Sequence, residues 1–112
     1  MSVLRRVDLE RREEIHRELQ RFVARLKAEL PVDRVYLFGS FARGDIHEGS
    51  DIDLIIIGDF SERFHERIYR VLLLDDQNLP LAPLCYRPEE IEQMQSEGNP
   101  FVLEALATAK AL

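Results

Sequence analysis

The run Leu54-Ile-Ile-Ile57 constrains this chain more than any other stretch of its sequence. Four consecutive large aliphatic residues have no polar face, so a strand built from them is buried on both sides. That strand, read as Asp51 to Ile57, must lie inside a sheet with cover on each face. In 112 residues, 46% of them hydrophobic, one core of ordinary size is available. No second catalytic lobe is expected in these residues, so an enzyme that builds its site from two of its own domains is not the expected reading.

The flanking sequence supplies the cover. Ile15, Leu19, Phe22, Val23, Leu26 and Leu30 recur at helical spacing and predict one long amphipathic helix over residues 8–29. Its outer face carries Glu13, Arg17, Glu18, Arg21 and Arg25, with Glu13–Arg17 and Glu18–Arg21 as compensating pairs. Pro31 stops it. Arg34 to Phe38 reads as a strand, and a short helix is expected to begin at Gly39-Ser40. Ser61 is the expected N-cap of a helix over 62–75 with Phe64, Ile68, Val71 and Leu72 inward. Leu79 to Tyr86 reads as a third strand. Pro80 and Pro83 each remove a ladder donor there, which suits a sheet edge. Pro88 opens a short helix, and Asn99-Pro100 starts a last one running to about Lys110. The expected fold is α+β: a small mixed sheet of three to four strands with helices packed against it. It forms a single domain over 1–112, with the first helix at 8–29, a core at 33–86 and C-terminal helices at 88–110.

Charge narrows the function. The net charge is −6, and it is uneven: residues 1–29 hold eight basic and six acidic side chains, the remainder seven and fifteen. Such a balance argues against a nucleic acid as direct partner, since that affinity comes from neutralising phosphates. A single cysteine, Cys85, fits a reducing cytoplasm, and its apolar surroundings make it a buried, inert thiol. No apolar stretch is long enough to span a membrane, and no secretory h-region follows Met1. A cytoplasmic protein without membrane attachment is expected.

The chemistry lies in Val35-Tyr-Leu-Phe-Gly-Ser-Phe-Ala-Arg-Gly-Asp-Ile-His-Glu-Gly-Ser-Asp-Ile-Asp-Leu-Ile-Ile-Ile57. Gly39 allows backbone to approach a ligand without a Cβ, and Ser40 adds a hydroxyl beside backbone amides, a combination suited to phosphate oxygens. Asp51 and Asp53, two apart at the start of a strand, point to one face. Two adjacent carboxylates repel, so they need a cation between them or a raised pKa. Oxygen-only ligands favour Mg²⁺ or Mn²⁺, with substrate phosphates completing the shell. Together these features read as metal-assisted nucleotidyl or phosphoryl transfer.

The combination strand–Gly-Ser-x-Ala-x-Gly–loop–Ser-Asp-x-Asp–strand resembles the signature of the DNA polymerase β-like nucleotidyltransferase superfamily, in particular its minimal nucleotidyltransferase (MNT) members. The resemblance implies an enzyme that binds a nucleoside triphosphate, ATP foremost, and transfers NMP to a hydroxyl. It implies that Gly39 and Ser40 hold the β/γ-phosphates, with Arg43 as a neutralising cation or an ion-pair partner of Asp45 or Glu48. Asp51 and Asp53 bind Mg²⁺ or Mn²⁺, Ser50 braces the Asp51 turn, and His47 is a loop residue. It also implies a partner, since members of this family are often paired with a helical HEPN protein in toxin–antitoxin modules; a homodimer is a second way to wall the cleft. One departure stands out. The superfamily uses a third carboxylate on the third strand, where this chain has Ala82. The alternative is therefore a catalytically weakened antitoxin that neutralises a HEPN toxin by contact.

Overall fold

The computed structural model describes residues 9–44 and 50–112, with side chains from Arg12 onward. The expected helix start at Asp8 and the residues Asp45, His47 and Glu48 lie outside the described residues. In chain order the elements are α1 (Leu9–Glu29), β1 (Val32–Phe38), α2 (Gly39–Arg43), β2 (Ile52–Gly58), α3 (Phe64–Leu72), β3 (Leu81–Tyr86), α4 (Pro88–Ser96), α5 (Pro100–Thr108) and β4 (Lys110–Ala111). The sheet is mixed and four-stranded, in the order β3-β2-β1-β4. β2 pairs antiparallel with β1 and parallel with β3. The α+β fold class expected from the sequence is the one observed.

β2 is covered on both faces, as its unbroken apolar run demands. Ile52, Leu54 and Ile56 pack into one core with Leu19, Phe22 and Leu26 of α1, Phe41 of α2 and Val71 of α3. Ile55 and Ile57 face the other way, against Ile91 of α4 and Val102 and Ala105 of α5. β3 lies at the sheet edge, where Pro83 removes no needed ladder bond.

Boundaries shift at several elements: β1 begins at Val32 and not Arg34, β3 at Leu81 and not Leu79, and α3 ends at Leu72 and not at 75. The ladder of β2 begins at Ile52, whose N–H donates to the Pro80 carbonyl at 2.7 Å, so Asp51 stands just ahead of the strand. α3 starts at Phe64, capped at Arg63 and not at Ser61, because the Glu66 carboxylate accepts the Arg63 N–H at 3.2 Å. α5 ends at Thr108, since Leu37 and Tyr36 of β1 recruit Lys110 and Ala111 as a two-residue strand.

The inward face of α3 also differs. Phe64 and Leu72 are 39% and 40% exposed, while Arg67 is 3% exposed. Its guanidinium donates to the Glu62 carbonyl (2.8 Å), the Cys85 carbonyl (3.1 Å) and both oxygens of Glu90 on α4 (2.8 and 3.2 Å). Phe60 lies 5.9 Å beneath it. The planar fork thus ties α3, the end of β3 and α4 together. Cys85 is fully buried among these groups, and burial pushes its thiol up to about 12, which makes it inert. On α1, Glu18–Arg21 forms at 2.6 Å as expected, joined by Arg25–Glu29 at 2.7 Å.

Candidate active site

β1 and β2 run antiparallel with Phe38 opposite Asp53, which brings the β1–α2 junction against the start of β2. Gly39 takes φ +74°, and a Cβ built there would meet the Asp53 carboxylate oxygen Oδ2 at 2.1 Å and Cγ at 3.0 Å. Glycine is required twice over: for the left-handed backbone and for contact of main chain with the carboxylate. Gly39→Ala is expected to cost about 1–2 kcal/mol from the backbone alone. It should also rotate Asp53 out of place, so thermal unfolding and nucleotide affinity fall together. A Gly39→Ala protein that matches the wild type in both measurements would show that the close approach is not needed.

Asp53 is half-buried on the β2 face that also carries Ile55 and Ile57, and Asp51 is exposed two residues before it. Burial pushes the Asp53 carboxyl above its ordinary range, the Asp51 charge pushes it further, and the Arg43 charge partly offsets both. The two carboxylates therefore share a field, with Arg43 near enough to act on it. Arg43 is exposed at the end of α2, and Ser40 is half-buried in the helix's first turn. Ser50 is half-buried immediately before Asp51.

The neighbouring parallel strand sets Ala82 directly beside Asp53. Residues so paired sit one strand spacing apart, about 4.8 Å, with side chains on the same face. Asp53 is thus flanked by Gly39 on the β1 side and by a methyl group on the β3 side. The nearby acids have other work. Asp75 accepts from the N–H groups of Gln77 (3.0 Å) and Leu79 (2.8 Å), Asp76 lies 3.6 Å from Arg25, and Glu90 holds Arg67. Among the described residues no group of three His, Cys, Asp or Glu side chains comes together. A pair of repelling carboxylates against a glycine cradle fits a hard divalent cation that takes its other oxygens from substrate phosphates.

Next to the cradle is a groove that sequence reasoning missed. A cavity of about 230 Å³ is lined by Phe38, Gly39, Arg43, Phe101, Glu104, Ala105 and Thr108, between α2 and α5. Phe101 stands edge-on to Phe38, ring centroids 5.7 Å apart, and is 47% exposed. The only signal was the one-sided spacing of Phe101, Glu104 and Thr108 on a helix, and spacing does not reveal which neighbour the helix faces.

A family model described as nucleotidyltransferase domain matches residues 16–105. A protein of Methanocaldococcus jannaschii, named provisionally as a protein adenylyltransferase, is 46% identical over 43 residues, covering 37% of this chain and 43% of the relative. The match thus spans less than half the length of that relative. A crystal structure from Sulfolobus solfataricus, named provisionally as a nucleotidyltransferase, superposes with a TM-score of 0.61 at 23% identity, over 76% of this chain and 78% of the other. That likeness concerns the fold. Among the described residues no helix is long and apolar enough to cross a membrane.

Proposed function

Since the chain belongs to the nucleotidyltransferase domain family, we propose that it binds Mg·ATP at Asp51, Asp53, Gly39, Ser40 and Arg43 and transfers AMP to a hydroxyl acceptor. The observation that carries this reading is the packing of Asp53 against the bare backbone of Gly39. It joins a carboxylate pair and a main-chain cradle within one site.

Asp51 and Asp53 would hold Mg²⁺ (or Mn²⁺), which when bound neutralises phosphate charge and polarises the phosphoryl group. The chain's own residues do the remaining work. The bare Gly39 backbone seats the Asp53 carboxylate, the Ser40 hydroxyl can donate to phosphate oxygens, and the Arg43 guanidinium adds a cation. The acceptor oxygen bonds to the α-phosphorus, the bond to the β-phosphate oxygen breaks, and pyrophosphate leaves. The acceptor's proton has no carboxylate to receive it at Ala82, so it passes to solvent and transfer is slow. The name of the Methanocaldococcus relative favours a protein hydroxyl as acceptor.

Calorimetric titration with ATP, with and without Mg²⁺, tests binding, using an Asp51→Asn/Asp53→Asn protein as control. Absent or metal-independent binding in the wild type removes the proposal. Ala82→Glu, which restores an acid beside Asp53, is expected to raise AMP transfer at least about tenfold, the low side of what a positioned base contributes. An unchanged rate would show that this position does not limit the chemistry.

A second reading, the contact antitoxin, draws on the same methyl group at Ala82 and on the exposed apolar residues of α3, Tyr69 (66%) and Leu72 (40%), with Leu73 (64%) beside them. In that reading the protein binds a HEPN-family partner without modifying it. Co-expression with such a partner separates the two: a partner heavier by one AMP supports the enzyme, and an unmodified stable complex supports the binder.

A further inference from the structure

We infer that the groove between α2 and α5 is the base subsite of the nucleotide and that it selects an amino-bearing purine. This rests on the nucleotide reading of the Asp51/Asp53 site and extends it. The groove is continuous with that site, because Gly39 and Arg43 are part of its lining. Its volume of about 230 Å³ is below the range of a full ligand pocket and suits one part of a nucleotide.

Its two walls differ in chemistry. The α2 wall offers the Gly39 main chain and the Arg43 cation, which suit phosphate. The α5 wall offers Phe101 and Ala105, with Glu104 and Thr108 one turn apart. The Glu104 carboxylate is exposed and, among the described residues, has neither an ion-pair nor a hydrogen-bond partner. An acceptor-only anion repels phosphate, so the α5 wall does not hold the triphosphate tail. It accepts instead from an exocyclic amine. The Thr108 hydroxyl donates to the Glu104 and Ala105 carbonyls at 3.3 and 3.5 Å, which leaves its lone pairs for a second donor. Phe101 presents about half of its surface beside Phe38, giving a base a π-face to stack on. Adenine and guanine carry both the large face and the amine; uracil carries neither.

The test measures affinities of the full chain for Mg·ATP, Mg·GTP, Mg·UTP and Mg·tripolyphosphate by calorimetry. Phe101→Ala and Glu104→Gln are compared with the wild type, and both positions are exposed enough to leave folding intact. Phe101→Ala is expected to weaken ATP and GTP about tenfold or more while leaving tripolyphosphate unchanged. Glu104→Gln is expected to narrow the preference for purines over UTP and leave tripolyphosphate unchanged. If the wild type binds tripolyphosphate as tightly as ATP, or if Phe101→Ala leaves ATP affinity as it was, the base lies elsewhere and the inference fails while the nucleotide reading stands. If the wild type binds neither ATP nor tripolyphosphate, the nucleotide reading falls and this subsite falls with it.

Discussion

Arg67→Met is expected to destabilise the protein by about 3 kcal/mol, lowering the melting temperature by about 10–15 °C. The substitution removes a buried guanidinium and its donors to the Glu62 and Cys85 carbonyls and to both Glu90 oxygens. Two carbonyls lose a partner, and a part-buried carboxylate is left without its fork. The matched control is Arg70→Ala on the same helix. Arg70 pairs with Glu62 but is 42% exposed, so its loss is expected to cost under about 1 kcal/mol. Denaturant unfolding of the two variants checks the contrast, and equal losses would refute the role given to Arg67.

The pH dependence has a definite sign. Arg67's hydrogen bonds, with smaller help from the Arg87 N–H and charge, hold the Glu90 carboxyl below its ordinary value of 4.5. A carboxylate with a lowered folded-state pKa adds stability that is present above 4.5 and is lost as the pH falls through the lowered value. The gap between wild type and Arg67→Met should therefore be widest at neutral pH and narrow below 4.5. A gap that widens in acid would contradict this assignment.

Asp53→Asn should abolish most of the transfer activity, by about a thousandfold, as expected when a group that organises transition-state charge is lost. The same substitution should stabilise the metal-free protein. Burial and the Asp51 charge raise the Asp53 pKa, so its ionised form costs folding free energy at neutral pH, and that cost vanishes as the pH falls through the raised value. A gain of about 2–4 °C in melting temperature without divalent metal is expected, the equivalent of about 0.5 kcal/mol. Mg²⁺ with ATP should raise the melting temperature of the wild type by mass action and leave Asp53→Asn where it was. A variant that is less stable than the wild type without metal would show that Asp53 serves the fold and not the site.

Much of the candidate site is legible in the chain because its parts are local. The glycine of Gly39 and the two-residue spacing of Asp51 and Asp53 are consequences of backbone geometry within one short segment. The edge position of β3 was legible for the same reason: Pro83 lacks an N–H wherever the strand lies, while Pro80 proved to stand just ahead of it. The inward face of α3 was not. Periodicity counts hydrophobic side chains, and it placed Phe64 and Leu72 inside where the structure has Arg67. A buried arginine is stable only if carbonyls and a carboxylate from other elements meet it, and those partners are up to 23 positions away in sequence.

What the sequence determined by itself is the covered central strand, its neighbours and the residue types at the Gly39–Asp53 junction, because each follows from local backbone preference or from the need to bury an unbroken apolar run. What only the tertiary structure decided is who stands beside whom. The register sets Ala82 against Asp53, brings Gly39's main chain onto the same carboxylate, turns Phe101 and Glu104 toward the cradle, and recruits Lys110 and Ala111 as a fourth strand. These are pairings between distant segments, fixed by the packing of two helix layers on one sheet, and no local pattern in the chain encodes them.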